Sequence, residues 1–452
     1  VQPRRLSVMQ SNGGIISAGT AGEEAARTVL SGPAGGVVGA RFVAEQAGFP
    51  EIITFDMGGT STDVAVCPGR LPTTASGEIA GVPLRLPVID IHTVGAGGGS
   101  IAGVDAGGAL LVGPESAGAN PGPACYGRSQ SLNLLATVTD ANLVLGRLDA
   151  DRFLGGEMRL DETAARQALT DLAAQMNVAD AETAAWGVIQ VANANMERAI
   201  RRISVERGYD PRRFTLMPFG GAGPLHACDL AENLQIPRVL VPPVPGVLSA
   251  LGMLVAAPTK DYSQTVMRAM AVWTEEDENW LVQEAAPLAA RALAEMAAEG
   301  HEESSVMLSY RLDMRYQGQS HELTVPWVSG ETAVTERFHS AHQLRYGYRL
   351  PEGEMMEIVT LRVTAVAPVE PPQIVPEASG SPDAAAAMIG QKQVWFRQRP
   401  LTTTLYDREK LHTGHHFQGP ANVFQYDNTL VISPGWETAV DSYQNLILTI
   451  AA

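Results

Sequence analysis

The sequence contains few cysteines, and their number and spacing limit what they can do. Cys67, Cys125 and Cys228 are odd in number and far apart along the chain. This pattern argues against a disulfide framework, and the spacing does not match that of zinc ligands. Reduced thiols are typical of cytosolic proteins, so we expect a cytoplasmic location. We expect Cys125 to be a buried, small apolar residue in preference to a nucleophile.

Basic residues and long apolar runs are also scarce. Lys and Arg number 32 against 49 Asp and Glu, which gives a net charge of −17. A nucleic acid would be repelled by this charge, so we expect no nucleic-acid partner. The longest apolar run, residues 246–258, is too short and too often interrupted by Gly and Pro to span a bilayer. We therefore expect no membrane segment.

The start of the chain lacks the pattern of a secretory signal, because no basic stretch followed by an apolar one opens it. The first residue is Val1 rather than Met. From this we expect a fragment or a processed product.

At 452 residues, the chain is longer than one hydrophobic core usually supports, so the sequence predicts several domains. Glycine-rich, strand-like segments dominate residues 1–130, and helical patterns follow from Asp161. A second region begins near residue 263, and the Pro-rich stretch Pro368–Pro382 is typical of a linker. We place domains at 1–262, 263–370 and 371–452, the last of them rich in strands.

Hydrophobic periodicity and end signals predict individual helices and strands. The predicted helices are Ala34–Gln46, Glu162–Met176, Ala181–Arg207, Leu225–Asn233 and Thr274–Ala298. The clearest predicted strands are Ile52–Phe55, Val64–Val66, Phe214–Pro218, Val239–Val241, Leu308–Leu312, Leu323–Trp327, Asn428–Ile432 and Leu446–Ile450. The first two strands flank a Gly-Gly-Thr-Ser turn and predict a hairpin.

Residues 54–64 place two carboxylates, two glycines and several hydroxyl groups in one short stretch. Glycines let backbone N–H groups turn toward phosphate oxygens, and a carboxylate at a strand end can hold hydrated Mg²⁺. The stretch is neither a Walker P-loop, which needs Gly-Lys-Ser/Thr, nor a Rossmann fingerprint, which needs a following helix. By itself it fits a plain hairpin turn equally well. The flanking Asp56 and Asp63 and a second glycine-rich loop, residues 219–224, favour phosphate binding.

The stretch from Asp56 to Asp63 resembles the phosphate hairpin of the actin-like ATPase superfamily, and residues 219–224 resemble its adenosine motif. Longer strings are similar to the hydantoinase A / 5-oxoprolinase family from the start of the chain to about residue 370, and more loosely beyond it. These strings are Met9–Gly14, Leu30–Gly36, Asp90–Ser100, Pro121–Gly127, Val138–Asn142, Glu206–Gly208 and Phe219–His226. The stretch Asn422–Thr429 departs from the family pattern.

The resemblance implies an α/β fold, in which residues 1–262 form an actin-like (ribonuclease H-like) ATPase lobe. An α+β domain in 263–370 and a C-terminal β-rich domain in 371–452 are appended to it. It implies ATP and Mg²⁺ as cofactors, with room for a second divalent metal, and a hydantoinase B-like subunit as a partner in an oligomer.

The resemblance also implies an activity. Members of the family open cyclic amides such as hydantoins or 5-oxoproline by phosphorylating the carbonyl, or carboxylate ketones through an activated enol. A non-catalytic assembly subunit is the alternative from another class. Actin-like ATPases close two phosphate hairpins on the nucleotide, and the resemblance identifies only the second one here. We therefore expect a truncated chain or a second chain that completes the site, and weak ATP turnover by residues 1–452 alone.

The resemblance assigns roles to the residues of the two glycine-rich motifs. The catalytic residues of these motifs are Asp56, which holds the metal or its water, and Asp63, which supports the hairpin. His92, outside both motifs, is the third expected catalytic residue, as a candidate acid/base group or ligand near the substrate. The residues expected to bind nucleotide are Gly58, Gly59, Thr60, Ser61, Gly220, Gly221 and Gly223.

Several other polar residues have competing interpretations. Asp90 and His92 precede a glycine-rich turn and suit an acid/base or ligand pair near the substrate, while a histidine bonded to backbone fits equally well. Asp140 and Asn142 either contact the substrate or cap the next helix, and capping is favoured. His226 either stabilises a helix start or contacts nucleotide. Five further histidines are expected to lie on solvent-exposed surface: His339, His342, His412, His415 and His416.

Overall fold

The computed structural model describes residues 6–74, 77–79, 82–84, 86–128, 134–331, 333–351 and 353–451. The chain divides into two compact units, and each is built from three separated segments. The first unit comprises Val1–Ser31, Thr74–Val88 and Val255–Pro371. The second comprises Gly32–Thr73, Ile89–Leu254 and Pro372–Ala452.

The described residues combine helices with several β-sheets. The α-helices are α1 (Ala18–Glu23), α2 (Ser31–Gln46), α3 (Val138–Val144), α4 (Glu162–Met176), α5 (Ala181–Ile203), α6 (Ala227–Leu234), α7 (Leu248–Val255), α8 (Glu275–Ala298) and α9 (Val334–Tyr346). The strands are β1 (Ser7–Met9), β2 (Ile15–Ser17), β3 (Glu51–Met57), β4 (Thr62–Pro68), β5 (Thr73–Thr74), β6 (Gly77–Ile79), β7 (Val82–Leu84), β8 (Val88–Ile89), β9 (His92–Val94), β10 (Ser100–Val104), β11 (Leu110–Ser116), β12 (Thr215–Phe219), β13 (Arg238–Val241), β14 (Thr259–Met270), β15 (Met307–Tyr316), β16 (Leu323–Trp327), β17 (Met356–Val366), β18 (Met388–Phe396), β19 (Arg399–Asp407), β20 (His416–Gln418), β21 (Ala421–Phe424), β22 (Thr429–Ile432), β23 (Trp436–Val440) and β24 (Leu446–Ile450).

An eight-stranded sheet forms the centre of the second unit, in the order β20-β23-β24-β13-β12-β3-β4-β9. Strands β3, β12 and β13 run parallel, whereas β4 and β9 extend the sheet antiparallel from β3. The three parallel strands are almost entirely buried, as expected for apolar strands covered on both faces. The carboxyl ends of β3 and β12 therefore lie side by side at one edge of the sheet, where open α/β sheets bind their ligands.

Helix α5 packs against β4 and β9 of this sheet. The Asp180 side chain caps its start by accepting the Thr183 N–H at 2.8 Å, and the stripe predicted from the sequence is buried. The predicted helix to Arg207 is too long by one turn: the α-helix ends at Ile203, and Val205–Arg207 forms a separate 3₁₀ turn. The Ser204 hydroxyl donates to the carbonyl of residue 200 at 2.6 Å, a local bond of the kind that bends and ends helices.

Helices α2 and α7 approach each other through glycines within the second unit. A Cβ at Gly252 would overlap the Gly35 carbonyl, and a Cβ at Gly39 would overlap the Leu248 carbonyl. The glycine-rich start of α2 therefore serves close helix packing. Its predicted extent is confirmed to the C-terminal end, after which Gly48 adopts φ +80°.

The C-terminal residues 372–452 contribute strands to two sheets of the second unit. Strand β24 pairs with β13 and so extends the eight-stranded sheet, while β18-β19-β21-β22 form a four-stranded sheet of their own. The indole N–H of Trp436 donates to Glu232 on α6 at 2.8 Å. These contacts explain why the segment belongs to this compact unit. The predicted boundary near residue 370 coincides with the start of this C-terminal segment. The division of the chain into three domains stays a prediction.

The first unit contains a four-stranded antiparallel sheet, β14-β17-β15-β16, with α8 and α9 among its packing elements. The predicted start of α8 is confirmed, because Thr274 and Asp277 form a reciprocal capping box. His342 on α9 is 1% exposed, with aromatic rings of Tyr316 and Tyr348 around it. The prediction of a solvent-exposed surface is wrong for this residue, and also for His415, which is 7% exposed. Packing of aromatic neighbours, which sequence spacing does not show, buries His342.

Residues Met9–Gly14 make side-chain contacts with strand β14 in the first unit. The Asn12 amide donates to Asp261 at 2.5 Å, and the Gln10 amide donates to the Thr259 carbonyl at 2.9 Å. A Cβ at Gly14 would collide with the Thr259 side chain. These residues therefore hold the β1–β2 hairpin against β14.

The three cysteines are free and buried, which confirms that they form no disulfide framework. Burial raises the pKa of the Cys125 thiol, and its neighbour Asp140 raises it further, so the thiol stays protonated. Among the described helices, none is long and apolar enough to cross a membrane.

Candidate functional site

The hairpin predicted around Asp56 is present, and its tip is open to solvent. Strands β3 and β4 pair antiparallel so that Asp56 lies opposite Asp63. The Gly58 N–H donates to the Ser61 carbonyl at 3.1 Å and closes the turn. Gly58, Gly59 and Thr60 are exposed. The turn is therefore accessible to a ligand.

A second glycine run supports this tip from behind. The Gly98 N–H donates to the Gly58 carbonyl at 3.0 Å, and the Gly99 N–H donates to the Gly59 carbonyl at 2.6 Å. A Cβ at Gly97 would lie 2.6 Å from the Thr60 nitrogen, so only glycine permits this stacking. In a trans peptide the N–H points away from the preceding C=O. The N–H groups of Gly59 and Thr60 therefore point away from the supporting glycines.

The start of α3 fixes the supporting glycines. Both the N–H and the hydroxyl of Thr139 donate to the Gly98 carbonyl at 2.8 Å. Thr139 thus connects α3 to the back of the hairpin turn.

Asp140 is fully buried and has four donors. Its carboxylate accepts the N–H groups of Ala124 at 3.2 Å and Cys125 at 2.8 Å, together with the N–H and hydroxyl of Thr137 at 2.9 and 2.8 Å. It forms a capping box with Thr137, the interpretation favoured by the sequence. Asn142 is also buried and donates to the carbonyl of residue 138 at 3.1 Å. Contact of Asp140 and Asn142 with a substrate stays a prediction.

The two carboxylates of the hairpin differ in their surroundings. Burial, and secondarily the charge of Asp63, raise the pKa of Asp56 from 3.8 to about 6. Burial also raises the pKa of Asp63, although the hydroxyl of Thr93 donates to it and opposes the shift. Asp56 therefore carries the less stabilised negative charge, which a cation would stabilise.

The second glycine-rich loop meets the hairpin directly. Phe219 at the end of β12 lies opposite Asp56 in the parallel register. The Ala222 N–H donates to the Met57 carbonyl at 3.0 Å. Gly220 has φ +76°, and a Cβ there would overlap a carboxylate oxygen of Asp56. The structure therefore brings together the two motifs that sequence reasoning assigned to phosphates and adenosine.

His92 lies on the other face of the same sheet. Strand β9 places Thr93 opposite Asp63 and His92 opposite Val64. Because side chains alternate between faces along a strand, His92 points away from the face that carries Asp56. Burial and the positive charge of Arg202 on α5 lower its pKa. The structure does not bring His92 to the carboxylate pair, and its catalytic role stays a prediction.

Asp90 forms an ion pair with Arg207, after the end of α5. Its N–H donates to the Pro72 carbonyl at 2.7 Å. The ion pair gives Asp90 a partner outside the hairpin, so its predicted contact with substrate stays untested.

His226 lies in the interior behind the glycine loop. It is fully buried, and its Nδ1 lies 2.7 Å from the amide oxygen of Asn193. Burial, with the nearby charge of Arg147, lowers its pKa to about 3, so the ring is neutral. Arg147 is itself 1% exposed and pairs with Asp229 at 3.1 Å. Of the two interpretations of His226, the structure supports the internal, stabilising one.

A cavity of about 210 Å³ opens beside the hairpin tip, with all of its lining residues in the second unit. Its lining includes Gly58, Gly59, Gly98, Tyr126, Thr139, Leu148, Arg152, Phe153, Leu154, Gly221, Ala222, Leu225 and residues 425–429. Sequence reasoning missed Arg152–Leu154 and regarded Asn422–Thr429 only as a departure from the family pattern. No local signal marks these residues, because only the tertiary fold places them beside the glycines.

Comparison with known proteins gives a consistent result. The family model Hydantoinase/oxoprolinase matches residues 2–262, and the Hydantoinase/oxoprolinase C-terminal domain matches residues 274–450. The chain is 34% identical to caprolactamase subunit alpha of Pseudomonas jessenii, over 99% of this chain and 65% of the relative. It is 32% identical to 5-oxoprolinase 1 of Arabidopsis thaliana, over 98% of this chain and 36% of the relative.

Solved structures agree with these relatives. The ATP-dependent caprolactamase from Pseudomonas jessenii aligns with a TM-score of 0.88 at 32% identity, covering 100% of this chain and 66% of that one. A nucleotide-free acetone carboxylase structure aligns with a TM-score of 0.79 at 29% identity, covering 99% of this chain and 64% of that one. The chain thus spans less than two thirds of each of these relatives. By sequence and by structure, the chain belongs to the hydantoinase/oxoprolinase family.

Proposed function

We propose that this chain is the ATP-using part of an enzyme that opens a cyclic amide by phosphorylating its carbonyl oxygen. The observation that carries the proposal is the meeting of the Asp56 hairpin with the Gly220–Gly223 loop, at the carboxyl ends of two neighbouring strands. One motif supplies backbone N–H groups and carboxylates, and the other supplies glycines that permit close approach of a ligand. The hairpin with two parallel strands beside it supports the assignment of an actin-like ATPase lobe.

The residues around Asp56 fit Mg²⁺ as the metal. A carboxylate whose pKa is raised by burial and by a like charge is stabilised when a cation binds. Within the described ranges, no group of three or more His, Cys, Asp or Glu is arranged to hold a metal ion. Mg²⁺ suits such a site because it usually keeps several waters and binds through one or two carboxylates plus substrate phosphates. Asp56 would hold the ion or its water, and Asp63 would support it.

The chain's own residues have distinct tasks in the proposed reaction. The carbonyl oxygen of the amide attacks the γ-phosphorus of ATP, the bond to the β-phosphate oxygen breaks, and ADP leaves. The N–H groups of Gly59 and Thr60 donate to phosphate oxygens as negative charge shifts during transfer. Mg²⁺, when bound, neutralises charge on the phosphates. Water then attacks the activated carbon, and the C–N bond breaks with protonation of the nitrogen, which leaves an acyl phosphate. A second water hydrolyses the acyl phosphate to a carboxylate and free phosphate.

The activity belongs to the assembled enzyme in this proposal. The relative from Pseudomonas jessenii is a subunit alpha, which supports a partner subunit of the hydantoinase B type here. The chain covers 65% of that relative, so further residues or chains contribute to the complete protein. We propose that ATP turnover by residues 1–452 alone is weak, and robust stoichiometric hydrolysis by this chain would contradict that.

The proposal is tested by substrate-dependent phosphate release in the assembled enzyme, with hydantoin, 5-oxoproline, or a ketone plus bicarbonate. Asp56→Ala is expected to lower release by about 100-fold or more while assembly is unchanged. Asp171→Ala, an exposed residue on α4, is the matched control and should leave release unchanged. Unchanged release by Asp56→Ala, with intact assembly, would favour a non-catalytic assembly subunit.

Carboxylation of a ketone is the second candidate, supported by the likeness to acetone carboxylase. The same transfer would then place the phosphoryl group on the enol oxygen of the ketone, and bicarbonate would supply the carbon that is added. Phosphate release that requires both ketone and bicarbonate, with none from cyclic amides, would select this candidate.

A further inference from the structure

We infer that the cavity beside the hairpin tip holds the base of the nucleotide, and that the turn between β21 and β22 forms one of its walls. This inference rests on the proposed ATP site and adds the residues that contact and select the base of the nucleotide. The wall comes from the C-terminal segment, in the stretch Asn422–Thr429 that departs from the family pattern. We call residues 425–428 the C-terminal turn.

The size and lining of the cavity suit one planar ring system. Pockets that enclose a drug-sized ligand usually measure ~300–1,000 Å³, whereas this cavity measures about 210 Å³. Tyr126, Phe153 and Leu148 provide aromatic and apolar surface on one side. Such surfaces stack on bases without dependence on a particular sequence. The cavity is therefore too small for a whole nucleoside triphosphate and suited to its base.

The position of the cavity favours the base over the reacting amide. The cavity touches Gly58 and Gly59 of the phosphate turn, but Asp56 is not part of its lining. The amide must reach the γ-phosphate beside Asp56, whereas the base extends away from it.

The C-terminal turn is held firmly in place. The Asp427 carboxylate accepts the Gly246 N–H at 2.8 Å, and a Cβ at Gly246 would overlap that carboxylate. The Gln425 amide donates to the Pro243 carbonyl at 2.5 Å. The Asn428 amide donates to Asp427 at 2.8 Å. These bonds fix the turn in place as one wall of the cavity. The turn also reaches the glycine loop of residues 219–224, because a Cβ at Gly221 would lie 3.5 Å from the Asp427 carbonyl.

The cavity lining also contains a strained backbone segment. Leu154 has φ +51° and is followed by Gly155 and Gly156, which also have positive φ. Left-handed backbone is uncommon for a bulky side chain. Leu154 is also 40% exposed. The ring of Tyr426 occupies the space beside Gly155, where a Cβ would lie 2.5 Å from it. The turn and the strained loop therefore contact each other at the mouth of the cavity.

Arg152 adds a cation at this mouth. It is exposed, and its guanidinium lies 5.9 Å from the ring centre of Phe424, next to the turn. A guanidinium plane stacks on aromatic rings and bases. Arg152 and Tyr426 are therefore the specificity residues at the entrance.

The test separates base binding from phosphate binding. Affinities for Mg²⁺-ATP and for Mg²⁺-tripolyphosphate are measured by calorimetry on the assembled enzyme and its variants Arg152→Ala and Tyr426→Ala. Each variant is expected to bind ATP about tenfold more weakly, the size expected for loss of one stacking partner, with tripolyphosphate binding unchanged. Arg399→Ala and Tyr346→Ala, exposed residues outside the cavity lining, are the matched controls and should change neither affinity.

The outcomes are distinct. Unchanged ATP binding in both variants, or an equal loss for ATP and tripolyphosphate, would overturn the base assignment while leaving the proposed function standing. A rise confined to the KM for the amide would show that the cavity holds the substrate instead, and would also overturn it. If the unmodified enzyme binds neither ligand, the proposed function fails and the inference falls with it. Intact tripolyphosphate binding shows that a variant is folded.

Discussion

Asp56 and Asp63 lie directly opposite each other across the β3–β4 hairpin, on the same face of the sheet. Their proximity adds to the effect of burial and raises the pKa of Asp56 to about 6. Asp56 is thus close to half-protonated in mildly acidic solution, before any cation binds. The charge of this pair therefore makes the proposed metal site sensitive to pH.

Replacing Asp63 is expected to shift the pH dependence of the enzyme. Asp63→Asn removes a like charge, which lowers the pKa of Asp56 and keeps it ionised at lower pH. The acid limb of kcat/KM, measured between about pH 5 and 8 with Mg²⁺ below saturation, should move to lower pH. Asp105→Asn, in a surface turn, is the control and should leave the limb in place. An unmoved limb in Asp63→Asn would contradict the coupling.

Replacing Asp56 is expected to stabilise the metal-free protein while abolishing activity. Its folded pKa, about 6, lies above the ordinary value of 3.8, so ionisation at higher pH disfavours the folded state. In Asp56→Asn, the free energy of unfolding at pH 8 with EDTA should rise by about 3 kcal/mol. The gain should shrink as the pH falls from 6 toward 4, because the carboxyl of the original protein then becomes protonated. Denaturant titrations at several pH values measure this, and a variant less stable at pH 8 would refute it.

Gly220→Ala is expected to disrupt the contact between the two motifs. Gly220 and Gly208 both have positive φ, +76° and +83°. A Cβ at Gly208 meets nothing within 4 Å, whereas one at Gly220 would overlap the Asp56 carboxylate. Gly208→Ala should therefore lose only about 1 kcal/mol of stability from backbone strain. Gly220→Ala should also lose substrate-dependent phosphate release, and equal activities of the two variants would argue against the contact.

Asp140→Ala distinguishes a structural carboxylate from a substrate ligand. Removing it leaves four donors, including the buried N–H groups of Ala124 and Cys125, without an acceptor. A loss of roughly 2–3 kcal/mol in the free energy of unfolding is expected, with no change in the KM for substrate. Asp161→Ala removes a simple cap of α4 and should cost about 1 kcal/mol. A raised KM with unchanged stability would instead identify Asp140 as a substrate ligand.

Local patterns predicted several helices and strands and the hairpin of the candidate site. Helices α4 and α8 begin at Asp161 and Thr274 because the cap and the apolar periodicity are contiguous in sequence. The β3–β4 hairpin was predictable for the same reason, since its strands and its glycine turn occupy residues 51–68. The buried environment of His342 was not predictable, because the Tyr316 ring that packs on it comes from a strand distant in sequence.

The sequence by itself determined the glycine-rich turns, their flanking carboxylates and the family to which they belong, because backbone freedom and short-range chemistry are local properties. The tertiary structure decided which of these groups meet. Strand register put Asp63 beside Asp56 and turned His92 to the other face. Folding of residues 372–452 onto the same sheet brought Tyr426 to the hairpin's cavity. These positions are set by packing between segments that are distant in sequence, so no single segment of the chain determines them.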